Sequence, residues 1–201
     1  MYALVEDGSI LKLINNPKAM VIGDVRYPAK IFQLWSKSEL NAIGIYEVIT
    51  DSTNKKDEKW YINTNESYSF ADNQVTRSWG TATPKAHADT LWTAQDETDG
   101  KGTEGEVASR GLKYNLIRDL KITVANELSK TDWYITRNTE KETAIPSAIS
   151  THRDSVRTKQ AEMETAITNA SDTPALETLY TYTTTDGVQS RPLGELPTLE
   201  S

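Results

Sequence analysis

Few side chains in this chain have the type and spacing that chemistry needs. His87 and His152 are the only histidines. Neither has a second ligand one helical turn away, so neither makes half of a zinc site or a supported general base. There is no cysteine, which removes disulfides, thiolate metal sites and cysteine nucleophiles together. Across residues 95–106, Asp99, Gly100 and Glu106 fall at the fifth, sixth and twelfth positions of a calcium loop. Gln95 and Glu97 stand where such a loop needs Asp, however, and Gly102 stands where it needs an apolar residue. Glu140 with Glu142, or Asp96 with Glu97, could serve glycoside cleavage as carboxylate pairs, yet nothing sets them apart from solvated charges. Gly100-Lys101-Gly102 follows no apolar strand and is not followed by the Lys-Ser or Lys-Thr of a phosphate loop. The expectation is a protein that is not an enzyme, with no metal, no cofactor and no small-molecule ligand. Trp60, Tyr61, Tyr68, Phe70 and Trp79 cluster within one short stretch. They read most simply as a sheet core, with a sugar-stacking platform as the alternative.

The elements that must position these residues are bounded first by composition. The chain has 201 residues, with 22 Lys and Arg against 29 Asp and Glu, for a formal net charge of −7. That balance gives no electrostatic reason to bind nucleic acid or anionic lipid. No apolar run is long enough to span a bilayer, and the opening MYALVEDGS lacks the basic start and apolar core of a signal peptide. Five Trp and nine Tyr against two Phe place most aromatic area on rings with a polar handle, which suits half-buried sheets and protein interfaces.

The pattern predicts an α+β protein. Residues 1–83 read as a β-rich N-terminal module of short antiparallel strands with one short helix. Asp7-Gly8 between apolar runs predicts a hairpin, and Gly23-Asp24 between Met20-Val21-Ile22 and Val25-Arg26-Tyr27 predicts a second. Residues 30–35 read as a further strand. Ser36 with Glu39 forms a capping-box pattern that starts a helix over 37–43, which Gly44 stops. Strands follow at 45–49, at 60–62 and on either side of Asp72-Asn73, with a polar loop between 51 and 59.

Residues 84–105 read as a short helix at 85–96 and a glycine-rich acidic linker, taken as the module boundary. Residues 106–180 read as a helical hairpin module. Its first helix, 106–129, carries Leu112, Leu116, Leu120, Val124 and Leu128 at steps of four. Its second, about 147–170, carries Ile149, Val156, Met163 and Ile167 on a narrow stripe suited to a seam. Trp133 is expected buried at the reversal between them, and a short helix is expected at 175–180. Residues 181–201 read as an extended tail.

Residues 130–137, Lys-Thr-Asp-Trp-Tyr-Ile-Thr-Arg, are followed by Glu142-Thr143-Ala144-Ile145-Pro146, then Arg153 and Val156-Arg157. This run resembles a signature of small tailed-phage proteins: a Thr-Asp-Trp anchor, an Arg, a Pro-initiated helix and a paired-Arg helix. It is similar to the C-terminal part of phage tail-fibre assembly proteins and related virion proteins. The opening MYALVEDGSI and the patches Phe32-Gln33-Leu34-Trp35-Ser36 and Ile43-Gly44-Ile45 are similar to opening modules of such proteins. The patches cover roughly half the chain.

The resemblance implies a structural protein of a tailed-phage virion, at the tail fibre or baseplate, made in the host cytoplasm and retained in the particle. Its implied partners are other tail or virion proteins and further copies of itself. The alternatives are an assembly chaperone that leaves before maturation and a receptor- or glycan-binding module. The expected interface comprises Leu112, Leu116 and Leu120 on the first helix and Trp133 with Arg137 after it. On the second helix it comprises Ile149, Arg153, Val156, Arg157 and Met163. Arg137, Arg153 and Arg157 read most simply as part of an exposed helical face with weak ion pairs, with bidentate pairing to Glu140, Glu142 or a partner's carboxylate as the interface alternative.

Overall fold

A computed structural model describes residues 1–199, with mixed helix and strand as the alternating patterns require. The chain falls into two compact units, Met1–Thr83 and Pro84–Ser201.

The first unit is built on hairpins. Strands β1 (Tyr2–Glu6) and β2 (Ser9–Ile14) turn at Asp7 and Gly8, whose φ values of 49° and 75° are those of a type I′ turn. Strands β3 (Met20–Ile22) and β4 (Val25–Tyr27) pair antiparallel around Gly23-Asp24.

Residues 30–35 do not continue as a strand. They form one helical turn, α1 (Ile31–Leu34), closed by Ile31 N–H on the Pro28 carbonyl and Trp35 N–H on the Ile31 carbonyl. Pro28 stops β4, and a helical turn points Ile31 inward while leaving Leu34 75% exposed. The turn is held by local bonds, with Gln33 N–H and Leu34 N–H both on the Lys30 carbonyl at 3.0 Å, a pattern an extended strand cannot make.

Helix α2 (Lys37–Ala42) starts on the expected capping box. Ser36 Oγ accepts from Glu39 N–H at 3.3 Å, and Ser36 N–H donates to Glu39 Oε2 at 2.7 Å. Gly44, at φ 80°, lets the chain pass under the Val5 carbonyl, where an added Cβ would sit 2.5 Å from that oxygen. Strand β5 (Ile45–Thr50) follows, then β6 (Tyr61–Ile62), β7 (Ser67–Ala71) and β8 (Gln74–Ser78), the last two joined at Asp72-Asn73.

The main sheet has the order β2-β1-β5-β8-β7, and only β5 with β8 is recorded as a parallel pair. Alternation in β1 sends Ala3 and Val5 to one face, against Val75, Val48 and Phe70. It sends Tyr2 and Leu4 to the other, against Ile31, Leu40 and Ile45. Both faces are therefore covered, which explains why β1 and β5 read as nearly continuous apolar runs.

In the second unit, the first residues after the short strand β9 (Thr83–Pro84) do not form the expected helix at 85–96. Strand β10 (Thr90–Leu91) pairs with β11 (Val107–Ser109), and helix α3 (Ala94–Thr98) lies within the loop between them. The stretch expected as an open linker is thus a closed structure. Trp92 N–H donates to the Glu106 carbonyl at 2.9 Å, and Gly105 N–H to the Trp92 carbonyl at 3.0 Å. Gly102 is glycine because the Trp92 indole lies 2.3 Å from where its Cβ would be. Gly100 and Gly105 serve left-handed turns, with φ of 73° and 80°.

Because 107–109 pair as a strand, the first long helix starts at Leu112, where the leucine stripe begins, and not at the expected residue 106. The helices are α4 (Leu112–Ser129), α5 (Asp132–Lys141), α6 (Ser147–Asn169) and α7 (Thr173–Tyr180). The expected extended tail instead turns back as a hairpin, β12 (Thr183–Thr185) with β13 (Val188–Ser190), through Asp186-Gly187. Leu193 beyond it is buried. Residues 200–201 of that tail lie outside the described residues.

Candidate functional site

The long helices α4 and α6 bury their stripes against one another. Leu116, Leu120 and Val124 on α4 are buried, as are Ile149, Val156, Met163 and Ile167 on α6. Leu112 is only partly buried, at the first position of α4. The stripes expected at an interface are therefore largely consumed within the chain.

Where the α4 chain ends, Arg153 from α6 takes over. Its Nη1 donates to the Leu128 carbonyl at 2.7 Å, to Thr131 Oγ1 at 2.7 Å and to Asp132 Oδ1 at 2.9 Å. The last carbonyls of a helix have no partner inside it and carry partial negative charge, so a guanidinium there satisfies them and opposes the dipole. Thr131 is buried and adds its own hydroxyl to the Leu128 carbonyl at 3.0 Å. Arg153 was expected to face a partner; it is buried, and it ties the end of α4 to the first residue of α5 instead.

His152, beside it, is also buried, with Nε2 3.4 Å from Glu127 Oε1 but in no hydrogen bond. Lys130 bonds to the Glu127 carboxylate and, acting against its desolvation, holds its pKa below the ordinary carboxylate value.

The clamp aims α5, a helix that sequence reasoning missed. None of its residues is buried. Trp133, expected to fill the reversal, is 52% exposed. The connection between α4 and α5 is too short to enclose a ring of that size, and the tight turn is filled by Thr131 and the Arg153 guanidinium. Trp133 stacks on Tyr134 with ring centroids 3.7 Å apart, and the Arg137 guanidinium lies 5.9 Å from the Trp133 ring. Two signals in the sequence favour α5: Asp132 in its first turn and Lys141 in its last, both complementing the helix dipole. Arg157 pairs with Asp154 at 3.2 Å on the surface of α6. Neither it nor Arg153 meets Glu140 or Glu142 in a recorded ion pair.

The aromatic stretch of the first unit offers no open ring faces comparable to Trp133. Trp60, Tyr61 and Trp79 are buried. Lys59, Lys56 and Lys55 stand over those three rings at 4.5, 4.5 and 5.0 Å, and Arg77 also stands over Trp79 at 4.6 Å. The acidic loop holds its own cation. Lys101 Nζ sits 3.0 Å from Asp96 Oδ1 and 3.1 Å from Asp99 Oδ2. Hydrogen bonds from Thr93, and then from Lys101, lower the Asp96 pKa to about 2. Among the described residues, no group of three or more His, Asp or Glu is placed to hold a metal ion. Nor is any described helix long and apolar enough to cross a membrane.

The site is thus a surface of exposed Trp133 and Arg137 with half-buried Tyr134, on a helix held by a buried arginine. No family model, no curated protein and no solved structure matches the chain.

Proposed function

We propose that the chain is a non-enzymatic structural protein of a tailed-phage virion, at the tail fibre or baseplate, that works by docking to neighbouring proteins. The observation that carries the docking reading is α5. An isolated helix of ten residues is marginal in water, and this one buries no side chain of its own. It nonetheless presents Trp, Tyr and Arg, the residue types that dominate binding energy at protein interfaces. A stacked Trp133 and Tyr134 lose little side-chain freedom on binding, so a rigid partner surface gains most from them.

The virion half of the reading rests on the resemblance of residues 130–157 to tail-fibre assembly and virion proteins. The partners it implies are other tail proteins and further copies of the chain. The glycan-binding alternative has less support, because cations stand over the rings it would use. Quantitative mass spectrometry of purified particles tests the proposal. The chain should be present at a fixed copy number per particle, and Trp133→Ala should reduce that number. Absence from mature particles, with the chain bound to fibre protein in infected cells, would assign it to the assembly chaperones instead.

A further inference from the structure

Helix α4 has a second apolar face that its seam with α6 does not use. At 100° per residue, Tyr114, Arg118, Lys121 and Ala125 run down the midline of this face, flanked by Ile117 and Ile122. These six residues line a shallow groove. Tyr114 is 42% and Ile122 53% exposed. The face is centred roughly 130° around the helix from Leu116, Leu120 and Val124, so the α4–α6 seam leaves Tyr114 and Ile122 open and meets the face only where Lys121 reaches Glu164 of α6.

Its charge selects the occupant. The chain as a whole is acidic, but this face carries two cations on its midline. They pair with Asp119 at 2.9 Å and Glu164 at 3.8 Å, and both cations are more than half exposed. Exposed pairs of that kind are weak and exchange readily for a partner's carboxylates. A second copy applying the same face would set Arg118 and Lys121 against their own equivalents, which is repulsive. Area points the same way. The groove runs roughly 17 Å by 10 Å, on the order of 200 Å², against about 800 Å² per partner for a stable pair of globular proteins. It fits one helical segment.

We infer that the outer face of α4, from Tyr114 to Ala125, is a second docking site that accepts an acidic amphipathic helix of another protein. The helix lays apolar side chains between Ile117 and Ile122 and carboxylates on Arg118 and Lys121. The site is separate from Trp133 and does not depend on the role given to α5.

The probe is a synthetic peptide of roughly 18 residues, with Leu at the a and d heptad positions and Glu beside them. Its control has Lys in place of every Glu. Each is titrated into the full-length chain while the methyl resonances of Ile117 and Ile122 are followed by NMR. The acidic peptide should bind at least tenfold more tightly than the basic one and shift those two methyls. Ile122→Glu, at an exposed position that leaves the fold intact, should abolish binding, whereas Trp133→Ala should leave it unchanged. Arg118→Glu with Lys121→Glu should reverse the preference between peptides. Equal binding of the two peptides, binding of neither, or shifts confined to residues away from α4 would overturn the inference. So would self-association of the free chain that buries Tyr114, which would make a second copy the occupant.

Discussion

The Arg153 guanidinium lies 2.7 Å from the Leu128 carbonyl across a separation of 25 residues, and this contact sets where α4 stops and α5 begins. The same nitrogen reaches Thr131 and Asp132, so the corner is held by one side chain from the facing helix. A corner built this way exposes Trp133, which a corner built on the indole would have hidden.

Arg153→Met should therefore destabilise the second unit by about 1–3 kcal/mol, because it takes a charged donor from the buried Thr131 hydroxyl and the half-buried Leu128 carbonyl and removes the charge opposite Asp132. Urea denaturation followed by circular dichroism measures this. A loss below about 0.5 kcal/mol, the range of ordinary surface substitutions, would mean that the clamp does not hold the corner.

Trp133→Ala should separate stability from assembly. A half-exposed ring on a helix with no buried residues costs about 1 kcal/mol or less to remove, while particle incorporation should fall severalfold. Thermal melting of the purified variant and its copy number in particles are the two readouts. A large stability loss with normal incorporation would place the ring in a core and remove α5 as a docking element.

Two glycines with nearly the same backbone angle should respond differently. Gly8 and Gly44 have φ of 75° and 80°, but a Cβ at Gly8 meets nothing whereas at Gly44 it meets the Val5 carbonyl at 2.5 Å. Gly8→Ala should cost about 1 kcal/mol for the left-handed backbone alone. Gly44→Ala should cost about 2–4 kcal/mol, because the clash adds displacement of β1 to that strain. Equal midpoints in denaturant for the two variants would contradict the close approach of Gly44 to β1.

Acid should loosen the 90–109 loop through Asp96. Hydrogen bonds from Thr93 and Lys101 lower its carboxyl from 3.8 to about 2. A carboxyl depressed in the folded state contributes stability that is fully present above 3.8 and is lost as pH falls toward 2. The protection factors of the Thr93 and Asp96 amides, taken against the intrinsic exchange rate at each pH, should fall over that window in the native chain, and Asp96→Asn should remove that pH dependence. Unchanged protection down to about pH 2 in the native chain would show that the cap does not form.

Much of the first unit is legible in local sequence because its determinants are local. Asp7-Gly8 and Asp72-Asn73 accept left-handed backbone at little cost and so mark hairpins by themselves. Ser36 with Glu39 satisfies helix donors within four residues. The residues 30–35 misled because Lys30-Ile31-Phe32 carries strand propensity. Only the packing of Ile31 against Leu40 and Ile45 decides for a helical turn.

The second unit divides along the same line. Spacing alone determined that two long helices exist and that Leu116, Leu120 and Val124 on one, and Val156 and Met163 on the other, lie on stripes that must be buried, since the period is fixed by 3.6 residues per turn; that the two stripes bury each other was decided by the tertiary structure. Tertiary structure decided the rest. It closed the glycine-rich stretch by packing Gly102 against Trp92, a contact across ten residues that composition cannot reveal. It also turned Arg153 inward onto the Leu128 carbonyl and the Thr131 hydroxyl, 25 and 22 residues distant, and left Trp133 outside. Residue type ranks Trp as the one to bury and Arg as the one to expose. Here three acceptors gathered at the end of α4, the Leu128 carbonyl, the Thr131 hydroxyl and the Asp132 carboxylate, reverse that order, because a charged guanidinium serves all three and an indole, with one neutral N–H, does not.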